Sequence, residues 1–240
     1  MINFIQSEFL KLKHSKIFLL TILGALTFPF LLYLSLISGT SDSLESMIKA
    51  CNQFTGSMFN IILFAIVVSY IFGREYSEHT LKTMITIPLS RGKFILGKYL
   101  MFFIWIMILV TVTFLSTCLF GYLGGASSIT LTGAIGACKD MFITNILLFL
   151  SFSPFVFLSL VVPNMVAAMV VGAAFSIGNL MISSTSHAPY FPWSSSYLIG
   201  SNEIANFSCS YTTSLAIILI TFAIGLTISY IYFTKKDVSL

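Results

Sequence analysis

Six long runs of apolar residues dominate this chain, at about 17–37, 56–73, 99–122, 141–162, 165–184 and 213–233. A helix needs roughly 20 apolar residues to cross the hydrocarbon core of a bilayer. Each run is long enough to cross, and the runs are continuously apolar rather than alternating. Continuous apolarity predicts helices and argues against a membrane β-barrel. The expected fold is therefore all-α and integral to a membrane, in one domain over residues 1–240. Composition agrees, with 57% hydrophobic and only 8% charged residues, against about 25% charged in a soluble domain. The first run is too long for a signal-peptide core and no small-residue cleavage site follows it, so it reads as a retained span.

The few charges are placed unevenly. With the N-terminus inside, the inner segments hold Lys11, Lys13, Lys16, Arg74, Lys82, Arg91, Lys93, Lys98, Lys235 and Lys236. The outer segments hold only Lys49 and Lys139, a bias of ten to two. Basic residues favour the cytoplasmic side, so both termini are expected inside. The net charge of +4 is thereby a topology signal, and nucleic acid is not an expected partner. The acidic residues divide equally between the two sides.

Before the first span, Ile2, Ile5, Phe9 and Leu12 recur at helical spacing, with Asn3, Gln6, Lys11 and Lys13 elsewhere. This predicts an amphipathic helix over 1–16, lying in the inner interface. The outer stretches 38–55 and 123–140 read as short loops. Before the last span, Pro189 and Pro192 are expected to break any helix, leaving a partly re-entrant hairpin. Tyr190, Phe191, Trp193 and Tyr197 on it suit a headgroup layer or contact with a substrate. Small residues at Ala168, Gly172, Ala174 and Gly178 allow close helix approach in the fifth span. Pro163 and Asn164 make a tight turn ahead of that span. The four cysteines have irregular spacing and leave a disulfide open.

Seven of the 20 charged residues lie within positions 74–98, "REYSEHTLKTMITIPLSRGKFILGK". Within it, Leu81, Met84, Ile85 and Leu89 form an apolar stripe, with Glu78, Lys82, Thr83 and Thr86 facing elsewhere. That pattern predicts a short amphipathic helix over about 77–87, stopped by Pro88. Glu75 and Glu78 at its start suit the positive end of the helix dipole. An apolar stripe facing the cytoplasm requires a cover: the bilayer, the chain itself or another protein.

This segment resembles the second inner loop of ABC-2-type transporter permeases. The residues that carry the resemblance are Arg74, Glu75, Thr80, Leu81, Ile87, Pro88, Ser90, Arg91 and Lys98. His79 stands where many members have glycine. Six spans, inner termini, the N-terminal amphipathic helix and the broken outer hairpin extend the likeness over nearly the whole chain. Absence of a large outer domain makes the chain most similar to bacitracin-resistance and lantibiotic-immunity permeases. The resemblance implies a coupling helix that seats on a cytoplasmic ABC ATPase through Glu75, Glu78, Thr80, Leu81, Lys82, Met84, Ile85, Pro88 and Arg91. It implies two ATPase copies and a second permease, identical or homologous, in a bacterial cytoplasmic membrane.

The chain lacks a phosphate-binding G-x-x-x-x-G-K-[ST] loop. ATP and Mg are therefore expected in the partner ATPase, with no cofactor on this chain. His14, His79 and His187 fall on both sides of the membrane and form no metal site. No catalytic constellation points to an enzyme. The spans are read as free of Asp, Glu, Lys and Arg, unlike an ion-coupled carrier. Asn60, Asn145, Ser151, Ser153 and Asn179 are their polar residues, suited to pairing between helices or, for Asn60 and Asn145, to a substrate path. The uncharged interior suits an amphiphilic cargo such as an antimicrobial peptide, besides membrane lipids as neighbours. Export of a lipid, drug or other small molecule fits the same features, as does a membrane scaffold or immunity protein with no ATPase.

Overall fold

A computed structural model of the chain describes residues 7–10, 12, 15–38, 43–77, 91–126, 131–162 and 164–235. All regular structure among the described residues is helical. Helix α1 spans Lys16–Ile37 and α2 spans Leu44–Phe54. A π-helical turn, Thr55–Phe59, joins α2 to α3 at Asn60–Ser77. Then follow α4 (Arg91–Leu123), α5 (Leu131–Ser151), α6 (Ser153–Val161), α7 (Met165–Ser183), α8 (Pro192–Gly200) and α9 (Tyr211–Lys235). Six stretches are long and apolar enough to cross a membrane: Lys16–Ile37, Leu44–Arg74, Gly92–Leu123, Thr132–Ser151, Val166–Ser183 and Tyr211–Lys235.

Helix α3 is the hub. Ile61, Phe64, Val67, Val68, Ile71 and Phe72 are all buried, because α3 meets neighbours on every side, and such a helix is apolar all round. Helix α7 packs along it, and α1, α4 and α6 close the other sides. Phe64 meets Phe102 of α4 and Phe152 edge-on, at 6.2 and 5.7 Å between ring centres. The outer helices instead show large exposed side chains, such as Leu19 and Leu23 on α1, Val170 and Met181 on α7, and Ile224 on α9. These faces suit lipid.

Close approaches are made by small residues. On α1, Thr21, Ala25 and Pro29 recur every four residues and are buried, and α1 lies along α4. Gly172 of α7 abuts Ala65 of α3 so tightly that a Cβ there would collide. Gly178, one motif further on, has open space around it. The small-residue pattern thus serves packing within the chain at Gly172.

The structure departs from the sequence reading in four places. First, the two outer "loops" are partly helical, since α2 occupies Leu44–Phe54 and α5 begins at Leu131. Leu44, Met47, Ile48 and Cys51 are its buried side, and Ser43 caps it by accepting the Ser46 N–H at 3.1 Å. Second, the fourth apolar run is two helices, broken at Phe152. Pro154 lacks an N–H and its ring crowds the preceding turn, so α5 ends and α6 starts afresh. Third, Pro192 begins helix α8 instead of preventing one; at the first helical position a missing N–H costs nothing. Fourth, Arg91–Lys98 belongs to helix α4, which brings a lysine into the bundle. Helix α6 packs mainly on α9, and α7 mainly on α3. All four cysteines are free.

Candidate functional site: a buried polar layer around the π-turn

The π-turn is where the polar residues gather. In it the Asn60 N–H reaches back to the Thr55 carbonyl, five residues away, and a turn so widened releases carbonyls from the helical ladder. A released carbonyl in an apolar interior must find another donor. Helix α7 provides two. Asn179 Nδ2 donates to the Ser57 carbonyl at 2.8 Å, and Ser176 Oγ donates to the Met58 carbonyl at 3.1 Å. Ser194 of α8 then donates to Asn179 Oδ1 at 2.7 Å. One amide thus ties the π-turn, α7 and α8 together.

A second set faces α5. Asn60 Nδ2 donates to Asn145 Oδ1 at 2.6 Å, and Asn145 Nδ2 donates to the Met141 carbonyl at 2.8 Å. Asn52 Nδ2 donates to Thr144 Oγ1 at 3.1 Å. Gly56 in the π-turn faces Thr144 and Tyr197, so its missing side chain makes room for both α5 and α8. Further along α5, Ser151 Oγ donates to the Pro192 carbonyl and pairs with Ser196 Oγ, each at 3.1 Å. Ser153 Oγ, at the break, donates to the Thr221 carbonyl of α9 at 3.0 Å.

Helix α8 is the lid of this layer. Every residue from Trp193 to Gly200 is buried. Trp193 packs against Phe155 and Phe175, with ring centres 6.0 and 4.5 Å away, and Phe191 completes the cluster. Tyr197 donates to Glu203 Oε1 at 2.6 Å. Tyr190 is exposed. Asn202 holds the turn after α8 with φ at 58°, a left-handed conformation that asparagine tolerates better than most residues.

The six residues foreseen as a substrate path therefore lie around one layer, but with different surroundings. Asn60 donates to Asn145, Trp193 and Tyr197 are buried in helix contacts, Phe191 is half-buried and Tyr190 faces out. Asn52, Thr144, Ser176 and Ser194 were not singled out from sequence. For Asn52 the signal was present: it follows the Leu44, Met47, Ile48, Cys51 pattern of a helix. For the serines there was none, since serine is common everywhere.

The Asn60–Asn145 pair has a direct test. A polar pair inside a membrane bundle is worth about 0.6–2 kcal/mol. Asn60→Leu and Asn145→Leu singly should each lower the midpoint of thermal unfolding in detergent. Each strands the other amide, so the double variant should lose less than the sum. Strictly additive losses would mean that the two amides do not interact.

Of the residues foreseen to couple, Glu78, Thr80, Leu81, Lys82, Met84, Ile85 and Pro88 lie outside the described residues, as do Ile2 and Ile5. Glu75 is in the last turn of α3 and Arg91 in the first turn of α4, so the segment 78–90 has helical roots. Phe9 and Leu12 pack against the main core, Leu12 fully buried, while Leu10 is exposed. Between the two roots, Lys98 is buried, at 2% exposed. It donates to the Ile71 carbonyl of α3. Its ammonium lies over the rings of Phe94 and Phe72, 5.2 and 5.8 Å from their centres. Lys98 adjoins the third apolar run, which begins at Tyr99, so a buried charge stands at its edge. Arg74, in the same region, donates to the Tyr70 hydroxyl at 2.9 Å. Among the described residues there is no group of His, Cys, Asp and Glu suited to a metal.

The sequence profile of the ABC-2 family transporter proteins matches residues 4–179. The chain is also 32% identical, over 189 residues, to the bacitracin transport permease protein BCRB of Bacillus licheniformis. That alignment covers 78% of this chain and 89% of the relative.

Proposed function

This chain belongs to the ABC-2 family of transporter proteins, and from that premise we propose that it is the permease subunit of an exporter of a membrane-active antimicrobial peptide. The family places it in the membrane as a transport subunit whose ATP hydrolysis resides in a partner ATPase. The observation that carries the peptide reading is the likeness to a bacitracin permease over 78% of the chain. Bacitracin or a lantibiotic is the cargo class, and resistance or self-immunity is the outcome.

The packing supports a pathway between subunits in preference to one through this chain. Phe64, Phe102 and Phe152 fill the middle of the bundle, and the amide and hydroxyl donors of Asn52, Asn60, Asn145, Asn179 and Ser194 are paired within the chain. Among the described residues, grooves of about 460 and 360 Å³ are shallow, and apolar side chains dominate their linings. A second permease, identical or homologous, would then form the other wall, and two ATPases would drive the pair. Both termini and the 78–90 segment face the cytoplasm, on the ten-to-two bias of basic residues. Helix α8 is the re-entrant element of the outer side, and residues 1–16 lie at the inner interface. ATP binding closes the ATPases and moves the coupling segment around 75–91. The motion passes along α3 to the π-turn and reshapes the interface between permeases. ATP and Mg stay with the ATPase.

Disrupting the gene in its native host should lower the bacitracin or lantibiotic concentration that stops growth by fourfold or more, and the wild-type gene should restore it. Unchanged sensitivity to every cell-envelope peptide, with altered handling of a lipid or small drug, would assign the rival cargo. Purification of the tagged chain in mild detergent should recover a Walker-motif ATPase. Recovery of the chain without an ATPase would favour a scaffold.

A further inference from the structure

We propose that Lys98 is a positioning residue for energy coupling, a clamp that holds the two roots of the inner charged segment together so that they move as one body. The proposal rests on the reading of the chain as an ATP-driven permease, and extends it to a residue with a defined mechanical part.

The side chain crosses from one root to the other. Lys98 stands in the second turn of α4, and its ammonium donates to the Ile71 carbonyl, in the last two turns of α3. A carbonyl near the C-terminal end of a helix lies at the negative end of its dipole, where a cation is favoured. Two ring faces, Phe72 from α3 and Phe94 from α4, cover the charge from either root. Cation–π contacts gain strength in a dry site. The rings are themselves fixed. Phe94 stacks on Phe233 of α9, with centres 5.4 Å apart and planes 9° from parallel. Phe72 meets Tyr99 edge-on at 5.5 Å, and Tyr99 meets Phe222 of α9 at 6.5 Å. One ammonium thus ties together α3, α4 and the inner half of α9.

The chemistry asks for such a role. Burying an ammonium costs several kcal/mol before its contacts compensate. Methionine has a similar shape and would fill the space without that cost. What lysine adds is a directed, charge-assisted bond to backbone, which resists sliding in a way that apolar contact does not. If the roots were joined only by apolar packing, a displacement of segment 78–90 would be absorbed by slippage between α3 and α4. With the clamp, it reaches α3, and α3 ends at the π-turn held by Asn179.

The test measures the roots directly. Spin labels are placed by Ser77→Cys and Leu96→Cys in a chain whose four native cysteines are serine; Leu96 is exposed and tolerates a label. In lipid nanodiscs without partners, the parent should give one narrow distance distribution. Lys98→Met should at least double its width, and Lys98→Arg should keep it narrow. In the complex with its ATPase, trapping ATP should shift the distance from the Ser77→Cys label to a label at exposed Ile135→Cys on α5 in the parent, and Lys98→Met should lose at least half of that shift while the ATPase still co-purifies. A Lys98→Met chain with parental width and parental ATP response overturns the clamp, as does Lys98→Arg behaving like Lys98→Met. Should Lys98→Met fail to fold, Phe94→Leu, which strips one ring face and keeps the ammonium, is measured instead, and parental width there overturns the proposal. Failure of any ATPase to bind the parent would count against the exporter reading, whereas the nanodisc distances would still decide the clamp.

Discussion

Replacing residues 77–87 with a glycine-serine linker of equal length is expected to leave the helical bundle inserted and folded, and to abolish recovery of the ATPase. The reasoning is additive. Within this window Leu81, Met84 and Ile85 recur at helical spacing, with Leu89 just beyond it. Fully burying a side chain of this size is worth about 1.5–3 kcal/mol. Loss of three such contacts removes about 5 kcal/mol or more, and each 1.4 kcal/mol is tenfold in affinity. A stoichiometric complex should therefore fall by about a thousandfold and disappear from a pull-down. Folding should survive because side chains from Ile61 to Phe72 and from Phe94 to Val110 pack with others of the described helices in one core. Retention of the ATPase at parental yield would show that docking lies elsewhere. Loss of the folded chain would show that the segment belongs to the bundle.

The second large effect is steric. Gly200→Ala and Gly225→Ala are each expected to destabilise the protein by about 1–3 kcal/mol or more, the usual cost of overpacking a core. At Gly200, the C-terminal end of α8, a Cβ would come within 2.7 and 2.8 Å of the Thr144 nitrogen and Cα. At Gly225, on α9, it would come within 2.6 and 2.7 Å of the Ser153 carbonyl carbon and the Pro154 nitrogen. Both obstacles are backbone, which cannot rotate away. Gly200 seats the lid on α5, and Gly225 lets α9 cross the break between α5 and α6. Gly136→Ala and Gly178→Ala are the controls, with nothing within 4 Å of either site. Their stability should be unchanged or slightly raised, since alanine favours helix. Thermal unfolding in one detergent compares all four. A small or absent loss at Gly200 and Gly225 would mean that these helices stand further apart than described.

Several features of the site were legible residue by residue. Asn60, Asn145, Ser151, Ser153 and Asn179 announce themselves, because polar groups in an apolar run must pair. Their partners did not. Asn60 and Asn145 are 85 positions apart, and no local pattern joins them. Ser57 and Met58 accept bonds through backbone that becomes available only when the helix widens into a π-turn, a feature without a residue signature. Lys98 was read as an inner-loop residue because the apolar run begins at Tyr99. A hydropathy window measures average character along the chain and not depth in the bundle, and it cannot see two phenylalanine faces supplied from different helices.

Sequence alone determined that this chain is an all-helical membrane protein with six apolar stretches, for a thermodynamic reason: in a bilayer the backbone must satisfy itself within each crossing, so length and apolarity dictate the helix. The position of the charge along the chain is read from it as well, with 7 of 20 charged residues in 74–98. Only the tertiary structure decided which helix is central, where the fourth run breaks, how α8 is buried and what holds Lys98. Those outcomes depend on which surfaces meet. Between helices already apolar on every side, that choice rests on the fit of small residues such as Gly172, Gly200 and Gly225, and on a few polar pairs between distant residues.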